Sequence, residues 1–214
     1  QTLTVNGREI PATQNGWQLL RTNASLPITL SSSMPWQIGF INIERPGRGV
    51  TVSAMGINGA QLSQWSKWRP GMWEDLAQTK ADLIILAYGT NEAFSGNLDI
   101  SSTERTWRNY IRQIKNTLPN AGILILGAPE SLKTAYGSCG NRPVLLSEVQ
   151  QMQQRVARDE KIMFWSWQDA MGGACSMKNW MAQGLAAKDG VHFSAQGYET
   201  AADKLADSLI RFAQ

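Results

Sequence analysis

The sequence lacks the features that mark membrane proteins, nucleic-acid binders and nucleotide-binding folds. No apolar run is long enough to form a transmembrane helix. Lys and Arg are scattered with no run longer than a pair, and the formal net charge of +3 gives no basic stripe of the kind that binds nucleic acid. The glycine spacings of dinucleotide-binding and phosphate-binding loops are also absent. The sequence therefore predicts no transmembrane segment, no nucleic-acid partner and no nucleotide cofactor.

Cysteine is scarce as well, with only Cys139 and Cys175 among 214 residues. Neither belongs to a C-x-x-C pair, so neither fits a zinc or redox motif. Each lies in a stretch rich in glycine and serine, which predicts a loop. Two loop cysteines with no others favour one disulfide bond, and hence a periplasmic or secreted protein, with two unrelated free thiols as the alternative.

Tryptophan, by contrast, is abundant, with nine residues. A buried indole needs a hydrogen-bond partner for its N–H group, so each tryptophan is costly to place without a reason. Most of the nine are expected in the core. The number is also typical of proteins that handle carbohydrate, because the C–H face of a sugar stacks on an indole.

The two ends of the chain have different sequence patterns. The N-terminal region contains short β-branched or alternating segments separated by turn residues, and it has no helical period. We interpret residues 1–50 as a β-rich segment, with strands expected at Leu26–Leu30, Gln37–Glu44 and Val50–Ala54 in this part of the chain. Residues 51–214 are long enough for one α/β domain with its own core.

Strand and helix patterns alternate from about residue 60 onward. Three apolar runs predict parallel strands at Asp82–Tyr88, Gly122–Gly127 and Lys161–Ser166, and the first two are apolar enough to be buried on both faces. Helices are expected in four amphipathic stretches, namely residues 62–77 with an interruption at Pro70, 101–118, 144–159 and 196–212. This alternation predicts an α/β fold with an open parallel sheet in three layers, α/β/α, whose site lies at the carboxyl ends of the strands.

The single histidine of the chain, His192, lies in a loop ahead of the last predicted helix. A lone histidine is more often structural than catalytic, but here Asp189 stands three residues before it. In an Asp-x-x-His turn the carboxylate can accept a hydrogen bond from Nδ1, which fixes the tautomer and leaves Nε2 free to act as a base. The residues from Ser194 onward read as a helix N-cap and a helix start.

Two other loops carry groups that could stabilise negative charge. Asn91 stands in Gly-Thr-Asn-Glu, directly after the apolar run that ends at Tyr88, and its amide can donate to a developing oxyanion. Gly59 ends the sequence Gly-Ile-Asn-Gly, where two glycines can leave a backbone N–H pointing into a site. Each of these loops is also compatible with a simple turn, because glycine and asparagine are common turn residues.

Taken together, these motifs resemble three of the four signature blocks of the SGNH (GDSL-like) hydrolases. They occur in the family's order over roughly residues 50–214, and the stretch from Phe164 to Gly173 is similar, more narrowly, to the bacterial peptidoglycan O-acetylesterases. The resemblance implies an SGNH-like fold and an enzyme that uses no metal and no cofactor. It also implies site residues of two kinds: Asp189 and His192 as the acid–base pair, and Gly59 and Asn91 as oxyanion donors.

The first block of that family, Gly-Asp-Ser, is absent from the sequence, and no serine here follows Gly-Asp. We therefore expect an upstream segment of the same polypeptide to supply the nucleophilic serine, together with the first strand of the sheet. The peptidoglycan subgroup can carry a β module inserted after its serine block. Residues 1–50 would then be the tail of such a module, and residues 51–214 an SGNH-like domain without its first strand.

Two functions follow from this set of residues. The first is a serine-type carbohydrate esterase that removes O-acetyl groups from an acetylated cell-wall polysaccharide, with peptidoglycan as the expected substrate. The second is a non-catalytic carbohydrate-binding protein on the same scaffold, which only the absence of the serine block supports. The joint presence of Asp189, His192, Gly59 and Asn91 favours the esterase, because binding alone requires none of their roles.

Overall fold

The computed structural model describes residues 2–13, 16–45 and 47–212. The chain divides into two compact units, which meet in sequence between Met55 and Gly56. No helix in the described ranges is both long and apolar enough to cross a membrane.

The first unit contains a small antiparallel sheet of three strands: β1 (Thr2–Val5), β2 (Arg8–Pro11) and β3 (Leu30–Ser31), in the order β2-β1-β3. Strands β1 and β2 form a hairpin whose turn is Asn6-Gly7. Both turn residues have positive φ, 48° and 79°, which are the values that a tight two-residue hairpin turn requires.

The predictions of strands in this region are largely wrong. Of the segment Leu26–Leu30, only Leu30 lies in a strand, and neither Gln37–Glu44 nor Val50–Ala54 forms one among the described residues. The alternating pattern identifies a segment suited to pairing, but a strand forms only against a partner, and the described part of the chain supplies none. Apolar side chains in both segments are accordingly exposed, with Phe40 at 55% and Val52 at 85%.

The second unit has the predicted alternation of helices and strands. It begins with a 3₁₀ helix, Leu62–Lys67, and continues with three strands and seven α-helices. The strands are β4 (Leu83–Leu86), β5 (Gly122–Leu126) and β6 (Met163–Trp165). The helices are α1 (Met72–Thr79), α2 (Thr90–Phe94), α3 (Ile100–Thr117), α4 (Leu146–Asp159), α5 (Trp167–Met171), α6 (Met177–Ala182) and α7 (Ala195–Phe212). The predicted break at Pro70 is confirmed, since it separates the 3₁₀ helix from α1.

The sheet of the second unit is parallel, in the order β4-β5-β6. The expectation of burial on both faces is confirmed for β5, where Ile123, Leu124 and Ile125 are all buried. It is wrong for β4, where Ile85 is 44% exposed. The reason is topological, because β4 pairs only with β5 among the described strands and so lies at an edge of the sheet.

Two hydrophobic clusters support the two parts of the site. The larger lies around β4, β5, α3 and α4, with Trp107, Ile111 and Met152 fully buried within it. The other gathers residues that follow β5 and flank α6 and α7, among them Leu132 and Phe193. Burial of such side chains contributes about 1.5–3 kcal/mol each, so both clusters provide firm support for the loops above them.

The predicted disulfide bond between Cys139 and Cys175 is confirmed, with Cα atoms 4.8 Å apart. It joins the loop that follows β5 to the loop that precedes α6. The two cysteines are 36 positions apart, and closing a loop of that length stabilises the fold by about 4 kcal/mol on the chain-entropy estimate.

The loop that carries Asp189 and His192 is held against the start of α7. An antiparallel bridge pairs Ala186 with Phe193, and the backbone N–H of Ser194 donates to the carbonyl of Leu185 at 3.0 Å. The Ser194 hydroxyl accepts from the N–H of Gly197 at 3.1 Å, which confirms the N-cap that the sequence predicted.

Gly197 lets the loop lie this close to the helix, and replacing it tests the arrangement. A Cβ atom at this position would lie 1.9 Å from the carbonyl oxygen of Leu185, a backbone atom that cannot move aside. Gly197→Ala should therefore lower the free energy of unfolding by about 1–3 kcal/mol or more, measured by urea denaturation. Gly96→Ala is the matched control, because nothing lies within 4 Å of its Cβ position, and it should leave stability unchanged or slightly higher. Equal denaturation midpoints for the two variants would contradict the close contact.

Candidate active site

Asp189 and His192 form a closed hydrogen-bonded turn. One carboxylate oxygen of Asp189 accepts from the backbone N–H groups of Val191 and His192, at 2.8 and 3.0 Å. The other oxygen lies 2.7 Å from Nδ1 of His192. An ionised carboxylate only accepts hydrogen bonds, so Nδ1 carries the proton and Nε2 of the neutral ring is left as the acceptor. The imidazole is 73% exposed, which leaves Nε2 accessible to a reacting group.

The electrostatics of the turn favour the ionised carboxylate. The pKa of Asp189 is lowered from 3.8 to about 2, first by the hydrogen bond from the His192 side chain and then by the two backbone N–H donors. Asp189 therefore stays ionised across the physiological pH range and keeps its orienting hold on the imidazole.

Aromatic rings fix the turn from below. The Phe193 ring stacks on Trp167, with centroids 5.3 Å apart, and meets Trp180 and Tyr198 edge-on. On the other side, the N–H of Leu132 donates to the carbonyl of Gly190 at 2.8 Å. The turn is thus held by contacts on both sides, and two of the residues involved, Leu132 and Trp180, are buried.

The structure also brings Asn91 and the loop of Gly59 together. The Asn91 side-chain amide donates to the carbonyl of Ala60 at 3.0 Å, and Gln61 donates back to the carbonyl of Asn91 at 3.2 Å. Gly59 has a φ of +75°, in the left-handed region that favours glycine. Asn91 itself lies in the first turn of α2. The two residues predicted as oxyanion donors are therefore on adjacent, mutually bonded segments.

A buried carboxylate, that of Glu92, connects these two segments by hydrogen bonds. Its two oxygens accept from the backbone N–H groups of Leu62 and Gly89, each at 2.9 Å, and the residue is only 1% exposed. Burial raises the pKa of Glu92, and the backbone donors partly offset that shift. This role of Glu92 was not predicted from the sequence. The available signal was a glutamate at the third position of a helix, from where its side chain can cap the helix start.

The site has two halves, the Asp189–His192 turn and the pair of segments that carry Gly59 and Asn91. No hydrogen bond joins these halves directly among the described residues. They are linked instead through Gln153 of α4, a fully buried side chain. Its amide donates to the carbonyl of Tyr88 at 2.7 Å and accepts from the N–H of Ala128 at 2.8 Å. Ala128 lies in the loop after β5, and the same loop contains Leu132, whose N–H donates to the carbonyl of Gly190. Gln153 therefore fastens the ends of β4 and β5 to each other.

A second buried carboxylate, Glu130, fastens the disulfide loops to the same region. It accepts from Arg142 at 2.7 Å, from the N–H of Cys175 at 3.1 Å and from the Gln168 side chain. The loop after β5 is thereby braced from three directions. No group of three or more His, Cys, Asp and Glu side chains suited to a metal ion occurs in the ranges that the structure describes.

The contact between His192 and Asp189 can be tested by titration. His192→Ala removes the main cause of the shift, so the pKa of Asp189 should rise from about 2 toward 3.8, as followed by NMR of the carboxyl carbon. The variant Asp189→Asn lacks this carboxyl group, so the NMR resonance that disappears in its spectrum is that of Asp189. Because the folded-state pKa is the lower one, ionised Asp189 stabilises the wild type above about pH 4, and this advantage over Asp189→Asn should vanish as the pH falls toward 2. An Asp189 pKa that is the same with and without the imidazole would contradict the assigned hydrogen bond.

Comparison with known proteins extends these observations. The model of the GDSL-like lipase/acylhydrolase family matches residues 38–200. A solved structure of a peptidoglycan O-acetylesterase is 66% identical and superposes with a TM-score of 0.91 over 99% of this chain. This chain spans 61% of the length of that protein. No curated protein matches the chain significantly.

More distant structures share the fold alone. An acetyl xylan esterase, AlAXEase, is 16% identical with a TM-score of 0.57, covering 72% of this chain and 78% of its own. A GDSL-like lipase of Bacteroides thetaiotaomicron is 20% identical with a TM-score of 0.54, covering 75% of each chain. The predicted SGNH-like three-layer α/β fold is thus confirmed, and the chain belongs to the GDSL-like lipase/acylhydrolase family.

Proposed function

We propose that the protein is a serine-type esterase that removes O-acetyl groups from a bacterial cell-wall polysaccharide, with peptidoglycan as the substrate. The observation that carries the proposal is the Asp189–His192 turn, in which Nδ1 is held by a carboxylate and Nε2 is exposed. The 66% identity to a peptidoglycan O-acetylesterase supports the choice of substrate.

In the proposed reaction, a serine hydroxyl attacks the acetyl carbonyl carbon while Nε2 of His192 takes its proton. The tetrahedral intermediate collapses, and the sugar oxygen leaves with the proton from His192. Water then attacks the acetyl-enzyme, again losing its proton to His192. Acetate departs, and the serine regains its proton. Asp189 stabilises the imidazolium that forms in each half of the reaction.

The oxyanion would be met by Gly59 and Asn91, together with the serine's own N–H. The geometry of Asn91 supports this role, because a side-chain amide has two N–H donors and only one is needed for the bond to the Ala60 carbonyl. That bond fixes the plane of the amide, so the second donor is oriented before the reaction begins. Fixed donors of this kind are worth about 10²–10³ in rate for each one removed.

The nucleophilic serine is proposed to lie in sequence upstream of these residues. The chain contains no Gly-Asp-Ser segment, and the Ser194 hydroxyl, the one nearest His192 in sequence, is already bonded to Gly184 and Gly197. The exposed apolar edge at Ile85 is where a further strand could pair. On this proposal residues 1–50 are the tail of an inserted β module, and residues 51–214 are the hydrolase domain without its first strand.

A periplasmic or secreted location fits the Cys139–Cys175 disulfide, because disulfide bonds persist in oxidising compartments. It also fits a wall polymer as substrate. The competing function, a non-catalytic carbohydrate-binding protein, is favoured only by the missing serine motif, and it predicts wall binding with no acetate release.

Acetate release from O-acetylated peptidoglycan tests the esterase proposal, using a polypeptide that includes the serine-bearing sequence. His192→Ala should lower turnover by about 10³-fold or more, because the serine loses its proton acceptor. Asp189→Asn should lower it by a similar or smaller factor. Asp203→Asn, which removes an exposed carboxylate from α7, is the matched control and should leave turnover unchanged. Undiminished turnover by His192→Ala would contradict the proposal, as would a wild type that binds peptidoglycan but releases no acetate.

A further inference from the structure

A cluster of aromatic rings lines a groove in the second unit. The groove has a volume of about 280 Å³ and is formed by the 3₁₀ helix, the turn that follows it, the start of α1 and one residue of α3. Its aromatic lining consists of Trp65, Trp68, Trp73 and Tyr110. Three of the nine tryptophans of the chain therefore lie on a single concave surface.

The local sequence explains how the rings come together. Side chains three residues apart eclipse each other in a 3₁₀ helix, and Trp65 and Trp68 accordingly stack at 4.7 Å with their planes 19° apart. Pro70 and Gly71, the latter with a φ of +95°, then turn the chain into α1. That turn brings Trp73 to 6.2 Å from Trp65.

The rings differ in how deeply they lie in the groove. The Trp65 indole N–H donates to the Tyr88 hydroxyl at 2.8 Å, which satisfies the polar group of that ring. Trp65 is the inner ring, in contact with four other aromatic residues. Trp68 is the outer one, in contact with Trp65 alone among the aromatic rings that the structure describes, and it remains partly exposed.

The groove stands on the same support as the proposed oxyanion donors. Leu62, the first residue of the 3₁₀ helix, is fixed by its hydrogen bond to Glu92. A 3₁₀ helix rises about 2 Å per residue, so Trp65 is about 6 Å and Trp68 about 12 Å further along the axis. Tyr88, the hydrogen-bond partner of Trp65, lies three residues before Asn91. A glycan chain that extends along this helix from an ester at the donors meets these rings.

We propose that this aromatic groove is a subsite that binds a pyranose ring of the glycan chain, a sugar neighbouring the one that carries the acetyl ester. The inference rests on the proposed function for its choice of polymer. An aromatic face suits the C–H face of a pyranose, and the polar groups at the rim, Ser66 and Arg69, suit its hydroxyls. The side chain of Arg69 is oriented by its ion pair with Asp75.

Sedimentation with insoluble peptidoglycan tests the subsite, after mild alkali has removed the acetyl esters. Binding to this material involves no ester chemistry, so it is measured independently of catalysis. Trp68→Ala should bind about fivefold or more weakly than the wild type, and Trp68→Phe, which keeps a ring, should recover part of the loss. The matched control is Phe212→Ala, which removes another exposed aromatic side chain, 77% exposed at the end of α7, and should bind as the wild type does.

A second readout separates a glycan contact from a structural role. In the active polypeptide, Trp68→Ala should lower the ratio of kcat/KM on O-acetylated peptidoglycan to kcat/KM on a small acetate ester by a similar factor. Unweakened binding by Trp68→Ala, or a parallel fall on both substrates that leaves the ratio unchanged, would overturn the subsite. A wild type that binds through Trp68 but hydrolyses neither ester would overturn the proposed function and leave the subsite standing.

Discussion

Two backbone N–H groups, those of Leu62 and Gly89, donate to the same buried carboxylate, that of Glu92. A buried carboxylate is costly unless its oxygens are satisfied, so the burial of Glu92 favours the arrangement in which both donors are in place. The Gly59 loop leads directly into Leu62, and Asn91 follows Gly89 by two positions. This one side chain therefore sets the distance between the proposed oxyanion donors. It also anchors the 3₁₀ helix that carries the aromatic groove.

The Asp189–His192 half of the site is organised by a separate set of contacts. The Asp189–His192 turn rests on Phe193 below and on Leu132 at its side, and Gly197 allows α7 to approach it. Gln153 and the loop after β5 then connect this half to the segments that carry Gly59 and Asn91. Both halves are thus held by contacts within the chain itself. On the proposed function, the base and the oxyanion donors would be fixed before the reaction begins, as electrostatic preorganisation requires.

The second unit was well predicted from the sequence because its signals are local. The helical periods of α3, α4 and α7 and the apolar runs of β4 and β5 depend only on neighbouring residues. The Asp189–His192 turn was predicted for the same reason, since a spacing of three residues suffices to close it.

The remaining features depend on partners far away in the chain. The strands expected at Gln37–Glu44 and Val50–Ala54 failed because alternation shows suitability for pairing and says nothing of whether a partner is present. The exposure of Ile85 depends on which strand lies next to β4. Gln153 was missed because a glutamine on the buried face of α4 has no local signature, and its two backbone partners are 25 and 65 positions away. Glu92 was missed as an anchor because one of its two donors lies 30 positions away.

We propose that these 214 residues hold the base and the oxyanion donors of a serine esterase but not its nucleophile. A fluorophosphonate probe, with the labelled peptide identified by mass spectrometry, tests this most directly when it is applied both to this chain and to the full natural reading frame. We expect the 214-residue chain to take up no label and the longer polypeptide to be labelled on a serine of a Gly-Asp-Ser segment outside it. A label mapped to one of the chain's own serines, accompanied by ester hydrolysis from the chain alone, would contradict it.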